Sequence, residues 1–295
     1  MEHLSKEELL AELQRRKGLI PVSILVAEEK ILWLDMEEYH FYEGFFHKSL
    51  DTFHALKKGQ VFSFTTGVSV LEDDAVVTDP VYPTGFIFHA GRCGSTILAK
   101  ALSRSQENLV ISEARPHASI WHILTGNGER PLEMSEKSKT IYRNLLLAMA
   151  RRRRAVHQQF FVKFASFNIR FFDFIHSIFP DVPALFLKRD VAAILASWKN
   201  NLPGWLERDH PKALQMLTGS DEPDLRQIIE GFFEKAATYP ESVLQPVEYE
   251  MLKPEHLPLI LSYLNYEPNE AQLALMQSQF AYDSKAEFNR KKFKT

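Results

Sequence analysis

This chain predicts an α/β fold: a central parallel sheet with helices layered on its faces, preceded by an N-terminal α+β extension. Three observations carry that reading. After Pro83, short β-rich runs alternate with helical stretches of apolar periodicity, the pattern of strands joined by crossover helices. The run Phe86-Ile87-Phe88 feeds a loop with two glycines and then a helix, as in a strand–loop–helix that cradles an anion. The 295 residues, 45% of them hydrophobic, supply ample material for a buried core.

The elements follow in order. Leu4, Leu9, Leu10 and Leu13 alternate with charges, a short amphipathic helix over residues 4–16. Residues 22–34 read as two strands around a polar turn at Glu28–Lys30. Tyr39–Leu56 is aromatic-rich and helical from about Gly44, and Gln60–Leu71 reads as a strand. Glu72–Asp74, Pro80 and Pro83 mark a boundary. Residues 1–80 are therefore an extension or small domain, and residues 81–295 the main domain. In the latter, strand 86–89 leads to helix 95–104, then to a strand at Leu109–Ser112 and helical stretches to about residue 157. Strand Phe160–Phe164, a helix at Arg170–Phe179, strand Ala184–Leu187 and helix Ala192–Asn200 come next. Residues 203–280 are mostly helical, with a short strand at Ser242–Val247.

Composition excludes several classes. The net charge of −3 gives no global basic field, which argues against nucleic acid. Cys93 is the single cysteine, so neither an intrachain disulfide nor a cysteine-rich zinc site is available. His117 and His122 share a helix without a third ligand, so no metal is expected there. Residues 1–18 have no apolar signal region, and no run reaches the roughly 18 apolar residues of a membrane helix. A soluble, cytoplasmic protein is expected, with no membrane partner.

The loop carries the chemistry. Gly91 and Gly94 let the backbone turn its N–H groups inward, and Ser95 and Thr96 add hydroxyls at the start of the following helix. No Lys stands between Gly94 and Ser95, so this is not a Walker A loop. Downstream, Arg189 ends a strand, and Ser197 lies eight residues on, two turns along a helix. The carboxyl edge of an open α/β sheet is where ligands bind, and an Arg with a Ser there can grip one phosphate.

Together, Ala90-Gly-Arg-Cys-Gly-Ser-Thr-Ile-Leu98 and the Arg189–Ser197 pair resemble the two phosphate sites of sulfotransferases. Glu113 in Ile-Ser-Glu-Ala and Lys163 in Phe-Val-Lys-Phe are similar to the Glu and Lys of tyrosylprotein and bacterial members. The approach Phe179-Pro-Asp-Val-Pro-Ala-Leu-Phe-Leu187 is also similar. The resemblance spans about residues 84–200 in detail. It implies a three-layer P-loop fold and transfer of a sulfuryl group from 3′-phosphoadenosine 5′-phosphosulfate to a hydroxyl or amine, leaving adenosine 3′,5′-bisphosphate.

On that resemblance Gly91, Arg92, Cys93, Gly94, Ser95 and Thr96 hold the 5′-phosphosulfate, and Arg189 with Ser197 holds the 3′-phosphate. Glu113 is the base, while Lys163 and Arg92 stabilise the transferring group and the leaving oxygen. No metal is required, and the acceptor is a small molecule or peptide. Four positions depart from the family pattern: Cys93 replaces Ser, Val191 replaces Pro, Ile97 replaces an adenine-stacking aromatic, and His89 replaces a small residue. An atypical P-loop small-molecule kinase and a non-catalytic binding module are the alternatives.

Three other features have plainer readings. Arg151–Arg154 are read as helical and mostly solvated. Tyr39, Phe41, Tyr42, Phe45 and Phe46 are core side chains, or else walls of an acceptor pocket. The basic tail offers Arg290 and Lys291 as residues that close over the 3′-phosphate, against a frayed terminus.

Overall fold

A computed structural model describes residues 2–208, 215 and 224–281. The chain opens with α1 (Lys6–Arg15), started by a reciprocal capping box between Ser5 and Glu8. The strands β1 (Leu19–Leu25) and β2 (Lys30–Asp35), the helix α2 (Phe46–Leu56) and the strand β3 (Ser63–Gly67) follow. These three strands form an antiparallel sheet in the order β1-β2-β3. The third is shorter than the expected Gln60–Leu71, because at Gly67 the chain turns into a 3₁₀ helix over Val68–Glu72.

The main sheet uses β4 (Pro83–His89), β5 (Asn108–Ser112), β6 (Gln159–Lys163), β7 (Ala184–Lys188) and β8 (Gln245–Glu248). All are parallel, in the order β5-β6-β4-β7-β8. The crossovers carry α3 (Ser95–Leu102), α4 (Arg115–Thr125), α5 (Glu136–Met149), α6 (Phe172–Ile178) and α7 (Val191–Asn200). Further helices cover Gly204–Arg208, Leu225–Ala237, Leu257–Ser262 and Glu270–Ser278.

Both faces of this sheet are apolar, as parallel sheets require. Phe86 and Phe88, Phe160 and Val162, and Ala184 and Phe186 point into a large core with α4, α5 and α6. The alternate residues Ile87, Phe161, Leu185 and Leu187 point the other way, against α3 and the helices after β8. The antiparallel sheet shares the larger core, with β1 packed on α4 and α5. Among the described residues, no helix is long and apolar enough to cross a membrane.

One expectation fails instructively. The helix α5 ends at Met149, so Arg151–Arg154 lie on an irregular segment and not on a helix face. Arg151 and Arg153 are buried. Arg151 donates to the carbonyls of Leu13 and Arg16, tying off the C-terminal end of α1. Arg152 pairs with Asp79 at 3.2 Å. Val156, within the stretch read as helical to about residue 157, is exposed.

Candidate functional site

Strand pairing alone collects most of the chosen residues. In β4 and β7, His89 stands opposite Leu187, so the loop after β4 and Arg189 emerge side by side. In β5 and β6, Ser112 stands opposite Lys163, so Glu113 begins its loop at the same edge. The first strand of the sheet is central, between β6 and β7, and its neighbours lead in opposite directions. That is a topological switch point at the carboxyl edge.

The loop turns tightly there. Gly91, Arg92 and Gly94 all have positive φ, at 90°, 50° and 78°. A side chain on Gly91 would press on the Trp198 ring at 3.0 Å, and one on Gly94 would meet Leu252 Cδ1 at 2.5 Å. The N-cap of α3 is Gly94 itself, and no side chain caps the helix. Its first N–H groups and the positive end of its dipole therefore face the loop. Ser95 is buried at this end, and Thr96 is half-buried. Cys93 is fully buried in the apolar cluster behind the loop, so its backbone rather than its thiol is what it offers a ligand.

Lys163 and Glu113 form the polar centre. Lys163 is completely buried, and its Nζ bonds the Glu113 carboxylate and Thr96 Oγ1, the latter at 3.3 Å. The Glu113 N–H donates to the Lys163 carbonyl at 2.7 Å, so the two residues are joined twice. Glu113 has a φ of 48°, left-handed for a residue with a Cβ, and such strain gathers at functional sites. Burial by itself raises its carboxyl, but Lys163 and His89 outweigh that and hold it at about 2. The sequence neighbour Arg115 is not the partner.

His89 couples this centre to the loop. The Gly91 N–H donates to His89 Nδ1 at 3.0 Å, which leaves the ring proton on Nε2, 3.4 Å from Glu113 Oε1. Burial lowers the His89 imidazole, yet the neighbouring Cys93 and Glu113 more than compensate and leave it raised. His117 is also buried; burial pushes it down to about 3, so it is neutral.

The outer cations sit around the loop. Arg92 is exposed and donates to the Asn201 carbonyl at 2.8 Å. Arg189 donates to the Arg92 carbonyl at 3.3 Å and lies over the Tyr249 ring at 4.1 Å. Ser197 is half-buried, on α7. Arg290 and Lys291 lie outside the described residues.

Sequence reasoning missed two contributors, Gly44 and Tyr249, and left a third, Phe45, open between core and pocket wall. Phe45 is half-buried and covers the Lys163 ammonium at 4.8 Å. Gly44 packs so closely on α3 that a Cβ would come within 2.5 Å of Thr96 Cγ2, and its carbonyl accepts from Ser112 Oγ at 2.7 Å. Tyr249, directly after β8, backs Arg189. The aromatic stretch around Phe45 was the available signal; Phe41 and Phe46 are core, whereas Phe45 is not. Among the described residues, no group of three His, Cys, Asp or Glu side chains converges as a metal site. No protein-family model matches the chain, and no curated protein matches it.

Proposed function

We propose that this chain is a sulfotransferase on a P-loop-type fold, moving a sulfuryl group from 3′-phosphoadenosine 5′-phosphosulfate to a hydroxyl or amine. One observation carries the reading: an uncapped helix N-terminus, a buried ammonium and a carboxylate meet at one sheet edge, with Arg189 at the end of β7 donating to the Arg92 carbonyl of the loop. The donor set fits the cosubstrate. Loop N–H groups and Arg92 suit the 5′-phosphate, and Arg189 with Ser197 suits the 3′-phosphate.

In the reaction, the bond from sulfur to the bridging oxygen breaks as a bond to the acceptor oxygen forms. The bridging oxygen's charge stays on the 5′-phosphate, facing Arg92 and the loop N–H groups. Glu113 receives the acceptor's proton. Paired with Lys163 it is too weak a base, so Lys163 must turn from the carboxylate toward the transferring group. Its Nζ already contacts Thr96 at the loop. That one movement stabilises the sulfuryl oxygens and restores the basicity of Glu113. A sulfuryl group carries less negative charge than a phosphoryl group, so these cations suffice in principle without a divalent metal. Phe45, over Lys163, forms a wall where the acceptor approaches.

A thermal-shift panel in EDTA tests the reading. Adenosine 3′,5′-bisphosphate at roughly 100 times its dissociation constant should stabilise the chain by about 2.7 kcal/mol. Stabilisation only by ATP with magnesium would favour a kinase instead.

A further inference from the structure

A second polar cluster lies at the opposite, amino edge of the parallel sheet, and the proposed chemistry does not use it. Its residues come from the irregular segment before β6 and from the stretch between β2 and α2. Arg153 is 2% exposed, and its Nε, Nη1 and Nη2 have no hydrogen-bond partner among the described residues. Its guanidinium lies over the Phe41 ring at 4.1 Å. His157 is fully buried, with both ring nitrogens equally unpartnered. The His40 ring lies 6.0 Å from that of His157; its Nε2 bonds the Ser103 carbonyl at 2.9 Å, and its Nδ1 is unpartnered.

The charge here is uncompensated. Burial, aided by Arg154, lowers Arg153 to about 9, which still leaves it charged at neutral pH. Two nearby acids are engaged elsewhere, and among the described residues no carboxylate acts on Arg153. Asp79 pairs with Arg152, and Glu43 accepts from Tyr39 Oη at 3.1 Å and Ser49 Oγ at 3.0 Å. Arg154 bonds the neutral side chain of Gln106. A buried guanidinium with none of its donors used is costly, and water would satisfy its N–H groups without neutralising it.

We propose that Arg153, His157 and His40 enclose a small oxyanion of the phosphate or sulfate class. The enclosure selects a free ion over the terminal group of a larger molecule. Arg153 provides the charge and a planar fork of donors matched to two oxygens. Neutral His157 adds one N–H, and His40 adds another once its Nδ1 is protonated. The site is distinct from the Gly-rich loop and stands whether or not the chain transfers sulfuryl groups.

Thermal shift with inorganic phosphate, at ionic strength matched with chloride, tests this on wild type and Arg153→Met. Phosphate held at the Gly-rich loop acts on both proteins alike, so the difference between them reports the amino edge. Wild type should show a saturable rise whose apparent affinity falls at least about tenfold in the variant, as for lost charge-assisted hydrogen bonds. The part of the rise that Arg153→Met removes should not be reproduced by phenyl phosphate. Identical titrations of the two proteins, or an Arg153-dependent response to phenyl phosphate, would overturn the proposal. Should Arg153→Met fail to fold, wild-type crystals soaked in selenate decide the matter. A selenium anomalous peak against the Arg153 guanidinium supports the site, and ordered water there without selenium refutes it.

Discussion

Lys163 and Arg153 are both buried cations beside the same parallel sheet, one at its carboxyl edge and one at its amino edge, and only Lys163 faces a carboxylate. At the carboxyl edge, the pairing of β5 with β6 brings Glu113 and Lys163 together, and burial strengthens their mutual attraction. At the amino edge, an aromatic face and two imidazoles surround Arg153 without opposing its charge. What a buried charge does depends on whether it has a partner. A paired one is a self-contained centre that a ligand must prise open, whereas an unpaired one is half of an interaction whose other half comes from outside.

The largest effect should come from the paired edge. Glu113→Gln should retain adenosine 3′,5′-bisphosphate binding yet lower turnover by roughly 10²–10⁴, the range for losing a general base. Transfer of labelled sulfate from the donor measures it. Unchanged turnover would move the base to His89, the imidazole beside the loop.

Swapping each cation for Met sharpens the contrast directly. Lys163→Met strands the Glu113 carboxylate and should cost about 3 kcal/mol in denaturant unfolding, the low end for a broken buried pair because Glu113 is partly exposed. Arg153→Met strands no acid; in buffer free of oxyanions it should be neutral or stabilising by about 1 kcal/mol. Equal losses from both would erase the distinction between the two edges.

Acid should separate the edges more gently. Glu113 is depressed in the fold, so its contribution is complete above its ordinary value of 4.5 and is lost as pH falls toward about 2. His157 is lowered to about 3 by burial and the surrounding arginines, so the unfolded chain takes its proton first. Its contribution is complete above pH 6.5 and is lost as pH falls toward 3. His117 behaves the same way at the other edge. Stability should thus decline from pH 6.5 downward with a slope of at most about 1.4 kcal/mol per pH unit from each histidine. His157→Phe and His117→Phe should each flatten it in urea titrations, and an unaltered slope in both would contradict the burial of neutral imidazoles.

The parallel sheet was legible because its strands are short, uniformly apolar runs separated by helical periodicity, and Phe86–Phe88 or Ala184–Leu187 admit little else. The loop was legible because its turning residues are consecutive. What stayed hidden was non-local. Lys163 and Glu113 are 50 residues apart, and only strand register joins them, whereas the cation nearest to Glu113 in sequence is Arg115. Four consecutive arginines look solvated until the chain leaves the helix at Met149 and buries two of them. Phe45 could not be told from Phe41 or Phe46 without knowing which of them turns toward the sheet edge.

A donor bound at two phosphate sites depends most on Arg189. Calorimetry on wild type and Arg189→Ala should compare adenosine 3′,5′-bisphosphate with adenosine 5′-phosphate, which lacks only the 3′ group. The bisphosphate should bind roughly ten- to hundredfold more weakly to Arg189→Ala, the scale of a lost charge-assisted hydrogen bond. The monophosphate should scarcely change, and Arg189→Lys should recover part of the loss because Lys lacks the planar fork. Equal weakening of both nucleotides would show that Arg189 supports the loop through the Arg92 carbonyl and binds no 3′-phosphate. No change in either would contradict the assignment of this edge as the donor site.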